Sequence, residues 1–359
     1  MDDVIATMDV QSKLFEYIRS VVVSGEEMTE EELLSENSIK QGLTITSLVR
    51  EWVRDTMDPS TFFPSGTLVP GKRLSFDIGR KLGSGNSEVM EVMIRKIQRK
   101  TFALKFFPHT DDQVPMRFIR EIHSVRILSK HTNIPSYFGA WVDTDQSYVL
   151  YELYKTTLYS HVKSNGPLRK THYVRHMTSE LLNALVFSHV THGIAHRDIK
   201  PRNILLSNSS VSSFHVVLAD WDSSSSSATR RTSLDDLGDF TTNPVCTLPY
   251  RSPEFVEATV NESLCAFRLD MWSLGCVLYF AATGNHLFQG GSEEETKQNI
   301  IRWKDNDRWP DPKTIERVLG ERGENLLRRL LKKEPKQRIM ATEAIFHPFI
   351  TLIGGDMWW

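Results

Sequence analysis

His196-Arg197-Asp198-Ile199-Lys200-Pro201-Arg202-Asn203 sets a carboxylate among cations and an amide within eight residues. A carboxylate of ordinary pKa, about 4, is ionised at pH 7 and can accept a proton from a hydroxyl. Seventeen residues beyond Asn203 stands Asp220, just after the apolar run Val216 to Leu218. Ser252-Pro253-Glu254 and then Asp270-Met271-Trp272-Ser273-Leu274-Gly275 follow in order. Upstream, Gly83-Ser84-Gly85 separates two β-type runs. Glycines let a backbone close over a phosphate, although the same pair also marks a plain tight turn. Further along, Phe102-Ala103-Leu104-Lys105 alternates so that Ala103 and Lys105 share one strand face. A lysine buried on an apolar strand needs an anionic partner, whereas one at the surface does not.

Composition narrows the class. Of 359 residues, 25% are charged and 40% hydrophobic, which excludes a disordered chain, a collagen and a disulfide scaffold. The net charge of −2 carries no nucleic-acid signal. Residues 1–60 hold 13 Asp/Glu against 5 Lys/Arg, so an acidic front precedes a mildly basic body. Cys246, Cys265 and Cys276 are too few and scattered for a disulfide framework or a zinc site. They suit a reducing cytoplasm or nucleus. Asp2 and Asp3 are unlike a secretory start. The longest uncharged apolar run, Met271 to Thr283, is shorter than the roughly 20 residues that cross a bilayer, so no membrane partner is expected.

Periodicity divides the chain. Residues 1–58 read as an acidic helical extension, with Leu14, Tyr17, Ile18, Val21 and Val22 on one face. Asp58-Pro59 stops the helical pattern, and residues 59–73 read as a linker. From 74 to 350 comes the main domain, and 351–359 is a tail. Within the domain, Val89 to Ile94 and Thr101 to Phe107 are β-type, Pro115 to Leu128 is helical, and Ile134 to Val142 and Ser147 to Leu153 are β-type again. After Thr157 helical stripes dominate, and Met271 to Ala282 is apolar nearly all round, as in a buried central helix.

From residue 76 to about 350 these ordered motifs resemble a eukaryotic protein kinase of the serine/threonine type. The resemblance implies an α+β, bilobal protein kinase fold: a small β-rich lobe and a large helical lobe, here behind the N-terminal helical extension. It implies transfer of the ATP γ-phosphate to protein Ser/Thr hydroxyls, with ATP and Mg²⁺ as cofactors and Mn²⁺ as the alternative ion. On this resemblance Lys105 grips the α- and β-phosphates and Glu121 pairs with it. Leu82, Gly83, Gly85 and Ala103 surround the nucleotide. Tyr151 is the gatekeeper, and Glu152 and Leu153 form the hinge that holds adenine. Asp198 is the catalytic base, Lys200 neutralises the moving phosphoryl group, and Asn203 and Asp220 hold the metal. Glu254 and Arg338 resemble the structural ion pair of the large lobe.

The sequence departs from the family at two places. Glu88 stands where a third glycine is usual, which places a carboxylate near phosphates unless it faces solvent. Asp220-Trp221-Asp222 replaces Asp-Phe-Gly, and Asp222 reads either as an extra ligand or as a turn residue. These departures keep open a pseudokinase scaffold or adaptor. The Ser223 to Ser227 run and Arg230-Arg231-Thr232-Ser233 read as a polar loop or as a phosphorylated switch, with Thr242 and Ser233 as candidate sites that Arg197 and Arg120 would meet. Pro115 to Glu121 is similar to the helix by which cyclin-dependent kinases bind cyclins, which would imply a cyclin-like regulatory partner besides the protein substrate. His189, His192 and His196 lie close enough in sequence to suggest a metal site, but the catalytic run accounts for that neighbourhood better.

Overall fold

The structure is a computed structural model that describes residues 76–84, 88–94, 101–109, 114–142, 146–207, 214–226, 246–257 and 265–351. The segments 1–58 and 59–73, Gly85, Ser227, Ser233, Thr242 and the tail beyond Thr351 lie outside the described residues.

Five strands make the first layer: β1 (Phe76–Ser84), β2 (Glu88–Ile94), β3 (Thr101–Pro108), β4 (Tyr137–Val142) and β5 (Gln146–Glu152). They pair antiparallel in the order β1-β2-β3-β5-β4. Alternation along β3 buries Phe102 and Leu104 in a small cluster with Val92 and Leu150, while Ala103 joins the main core. β1 forms the sheet edge and leaves Ile78 63% exposed. Helix α1 (Met116–Leu128) lies between β3 and β4 in the chain and buries Phe118, Ile119, Ile122, Val125 and Leu128. Pro115 precedes its first turn, where a missing N–H does no harm.

The second part is helical. Helices α2 (Leu158–Asn165), α3 (Thr171–Val186), α4 (Ala266–Thr283), α5 (Glu293–Arg302) and α6 (Pro312–Leu330, broken at Gly320 with φ 61°) dominate it. Thr157 caps α2 by accepting from the Ser160 N–H at 3.0 Å. Every residue of α4 from Leu269 to Ala282 is buried, as its uninterrupted apolar run requires. Gly275 lets α6 approach: a Cβ there would sit 2.9 Å from Leu331. Gly284 closes α4 in the left-handed region at φ 80°, its N–H returning to the Phe280 carbonyl at 2.7 Å.

Short strands stitch the functional loops to this body. β6 (Thr156–Thr157), β8 (Ile204–Leu206) and β9 (Val216–Leu218) form one small sheet, and β7 (Ile194–Ala195) pairs with β10 (Ser225–Ser226). The chain therefore leaves β7, turns through 196–203 and re-enters at β8. β9 then delivers residues 219–224 against the same place. Arg338 anchors the far end: its guanidinium meets both Glu254 oxygens at 2.7 and 3.0 Å and stacks over Trp272 at 5.0 Å.

Candidate functional site

Lys105 is 4% exposed on β3 and faces three carboxylates. Its Nζ lies 2.5 Å from Asp220 Oδ1, 3.2 Å from Glu121 Oε1 and 3.3 Å from Asp222 Oδ2. The anionic partner that a buried strand lysine demands is thus supplied threefold. Burial alone would lower the Lys105 ammonium, but Asp220, Asp222 and Glu121 outweigh it and hold it well above its ordinary range. Glu121 comes from the buried face of α1, and the Tyr151 hydroxyl donates to its Oε1 at 2.5 Å. Burial pushes the Glu121 carboxyl up to about 7, although Lys105 and the Tyr151 hydrogen bond oppose the shift.

The loop from His196 to Asn203 is held from beneath by Asp270, fully buried in α4. Its carboxylate accepts the His196 and Arg197 backbone N–H groups, each at 2.7 Å, and meets His189 Nε2 at 2.8 Å. Those bonds hold Arg197 at φ 68°, a conformation costly for a long side chain. Asp198 emerges 4% exposed with both oxygens engaged. Lys200 Nζ lies 2.5 Å from Oδ2 and Asn203 Nδ2 donates to it at 3.2 Å. The Thr247 N–H and hydroxyl approach Oδ1 at 3.2 and 3.4 Å. Burial pushes Asp198 up to about 7 against the pull of Lys200.

Asp220 follows β9 at φ 72°. Burial would raise its carboxyl, but Lys105 and Lys200 win and hold it down at about 2. One carboxylate thus lies within electrostatic reach of both lysines and links the two halves of the site. Trp221 is fully buried, with its ring centroid 4.5 Å from that of His196. A buried indole needs a partner for its N–H, and Trp221 Nε1 donates to the Leu218 carbonyl at 2.9 Å. Asp222 sits in the turn and accepts from the Ser223 hydroxyl at 3.0 Å, besides reaching Lys105. It is a turn residue that is also the third anion on the lysine.

The donor set fits a magnesium nucleotide. Both hydrogen bonds of the Asn203 amide go from Nδ2 to Asp198, at 2.9 Å to its carbonyl and 3.2 Å to its side chain. That leaves the amide oxygen, alongside the Asp220 carboxylate, as hard oxygen ligands of the kind Mg²⁺ takes. No group of three His, Cys, Asp or Glu among the described residues could hold a metal alone, so a bound cation would take its remaining oxygens from water or from the nucleotide. His189 is turned to Asp270 and His196 to the Ala219 carbonyl, away from any shared ligand position. Leu82 and Leu153 are half-buried against the main core, with Ala103 and Tyr151 inside it. The Glu152 N–H donates to the Ser136 carbonyl at 3.0 Å and its carboxylate accepts from the Ser136 hydroxyl at 2.8 Å, which fixes the start of the 152–157 crossing. Glu88 is 54% exposed and pairs with Lys81 across the β1–β2 hairpin, so its charge faces water. Sequence reasoning missed Thr247 and the Tyr151–Glu121 bond, and neither has a local sequence signal. A hollow of about 1060 Å³ between Pro253, Trp303 and Glu334 contains none of these groups.

The sheet lobe thus brings one guarded cation, and the helical lobe two carboxylates, a second cation and an amide oxygen, to one cluster. The family model of the protein kinase domain matches residues 76–350, and the chain belongs to that family. It is similar to serine/threonine-protein kinase cds1 of Schizosaccharomyces pombe, 25% identical over 297 residues that cover 80% of this chain and 61% of that one. It is likewise similar to serine/threonine-protein kinase SIK2 of Gallus gallus, 27% identical over 297 residues, 82% of this chain and 34% of the relative. With serine/threonine-protein kinase PKZ1 of Phytophthora infestans it shares 27% over 311 residues, 78% of this chain and 72% of the other. The chain thus spans 61% and 34% of the length of the first two relatives. No described helix is long and apolar enough to cross a membrane.

Proposed function

We propose that the protein is a serine/threonine protein kinase that transfers the γ-phosphate of ATP, with Mg²⁺, to protein Ser or Thr hydroxyls. One observation carries the reading. Lys105, Glu121, Asp198, Lys200, Asn203 and Asp220, scattered over 115 positions of sequence, converge on one hydrogen-bonded and electrostatically coupled cluster. Phosphoryl transfer needs positioned charges more than covalent chemistry, and that is what the cluster supplies.

Bound, ATP supplies the phosphoryl group and Mg²⁺ neutralises charge on it. Lys105, its direction fixed by Glu121, would hold the α- and β-phosphates. Asn203 and Asp220 would hold the metal. Thr247 and Asn203 orient Asp198, which accepts the hydroxyl proton at Oδ2, while Lys200 beside it meets the charge that develops on the phosphoryl oxygens. Trp221, tied to Leu218, keeps Asp220 facing this arrangement.

A second reading has its own observation. Asp222 occupies Lys105 together with Glu121 and Asp220, which favours a scaffold with weak nucleotide affinity. A thermal shift separates the two. ATP with Mg²⁺ should raise the melting temperature, and Lys105→Met should abolish the rise. No shift in the wild type refutes the nucleotide-binding reading. The cytoplasm or nucleus, where its cysteines stay reduced, suits a substrate of this kind. A cyclin-like partner would act through α1, by pressing Glu121 onto Lys105, and a pull-down against cyclins tests it.

A further inference from the structure

We infer that Arg202 and Lys163 form a cationic ledge beside the catalytic loop that selects peptides carrying Asp or Glu close to the acceptor Ser or Thr. The inference rests on the kinase reading and names the substrate class that this site prefers.

Arg202 lies four residues beyond Asp198 on the same loop and is exposed. Its guanidinium stacks 3.9 Å from the Tyr159 ring centroid. Stacking fixes the arm without neutralising its charge. Lys163, one turn further along α2, holds its Nζ 5.7 Å from the same ring. Loop and helix are joined by the Tyr159 N–H, which donates to the Pro201 carbonyl at 3.0 Å.

The ledge is continuous with the reacting centre. Tyr159 stacks on Phe280 at 6.0 Å, Phe280 lies 5.2 Å from His286, and His286 meets Tyr250 edge-on at 5.6 Å. The Tyr250 hydroxyl and His286 Nδ1 are 2.8 Å apart. Tyr250 belongs to the turn whose first residues follow Thr247, and Thr247 is bonded to Asp198. Burial lowers His286, and Lys163 and Arg202 lower it further, which places both cations within electrostatic reach of this ring.

Among the described residues the charge of this ledge is uncompensated: neither Arg202 nor Lys163 has a carboxylate of that set at ion-pair distance. Lys105, Lys200, Arg328 and Arg338 each have one. The sequence agrees: residues 153–179 hold Lys155, Lys163, Arg169, Lys170 and Arg175 and no Asp or Glu. Fixed, unpaired cations next to the acceptor position attract an acidic peptide and repel a basic one. The chain holds a segment of this chemistry in Ser233-Leu234-Asp235-Asp236-Leu237-Gly238-Asp239-Phe240-Thr241-Thr242.

The test uses the full chain and three fluorescent peptides spanning residues 233–244. One keeps Asp235, Asp236 and Asp239, the second replaces them by Asn, and the third by Lys. Binding is read by anisotropy, and phosphate transfer is read separately. Two or three exposed charge contacts correspond to about a three- to thirty-fold preference for the Asp peptide over the Asn peptide, and more over the Lys peptide. In the double variant Arg202→Glu/Lys163→Glu the order should reverse, with the melting point confirming its fold. Equal binding of all three peptides, or an Asp preference that survives in the double variant, overturns the ledge. Preferential binding without phosphate on any peptide would uphold the ledge and sink the catalytic reading, so the two failures are distinct.

Discussion

Asp222→Asn should tighten nucleotide binding. With every group ionised, the cluster of Lys105, Lys200, Glu121, Asp198, Asp220 and Asp222 carries two positive and four negative charges, an excess of two anions. At the observed 3.3 Å and an effective dielectric constant of about 20, the gross attraction between Asp222 and Lys105 is about 5 kcal/mol. A triphosphate must displace that attraction and also approach an extra negative charge. Most of the gross figure is returned when the phosphates replace the carboxylate on Lys105, so a net gain of about 1–2 kcal/mol remains. ATP affinity should then rise about five- to thirty-fold. Asn keeps the size and the hydrogen bond from Ser223. Isothermal titration with ATP, with and without Mg²⁺, measures the effect. Unchanged or weaker binding, or a raised Mg²⁺ requirement, would refute the reasoning and make Asp222 a metal ligand instead.

Further outcomes follow from the same geometry. Tyr151→Phe removes the hydrogen bond that lowers the Glu121 carboxyl, so Glu121 should protonate more readily; kcat/KM should fall several-fold at pH 7 and recover toward pH 8.5, as a pH–rate profile would reveal. Asp198 and Glu121 have folded-state values raised to about 7, so the folded protein binds protons more tightly than the unfolded chain; the ligand-free melting point should fall as pH rises from about 4 to 7, and Glu121→Gln should flatten part of that slope. Activity runs the other way, lost as pH drops through about 7, because the base must be ionised. Arg338→Met strands Glu254 beside a buried site and should cost about 3–5 kcal/mol by chemical denaturation. Gly275→Ala drives a methyl into Leu331 and should cost about 1–3 kcal/mol in the same assay.

Much of the fold was legible because its periods are local. The buried run of α4 and the alternation of β3 follow from residues a few positions apart. The Glu254–Arg338 pair is long-range, separated by 84 positions, and was reached through a motif rather than through physics. The contacts that sequence reasoning missed have neither aid. Thr247 meets Asp198 across 49 positions, Tyr151 meets Glu121 across 30, and Asp222 meets Lys105 across 117. Each needs the sheet register or the path of the 219–224 segment before the two side chains can be placed together. Trp221 shows the intermediate case. Its apolar slot was foreseeable from the aromatic ring, but its bond to the Leu218 carbonyl depends on where β9 ends. The exposure of Glu88 likewise turns on Lys81 standing across the hairpin.

The most direct measurement is transfer of labelled γ-phosphate to a Ser/Thr protein or peptide, with Mg²⁺ and with EDTA, for the wild type and Asp198→Asn. The account predicts metal-dependent labelling that falls about 10²- to 10⁴-fold in the variant while ATP binding is retained. Equal labelling by wild type and variant, or none above the EDTA control, would contradict it.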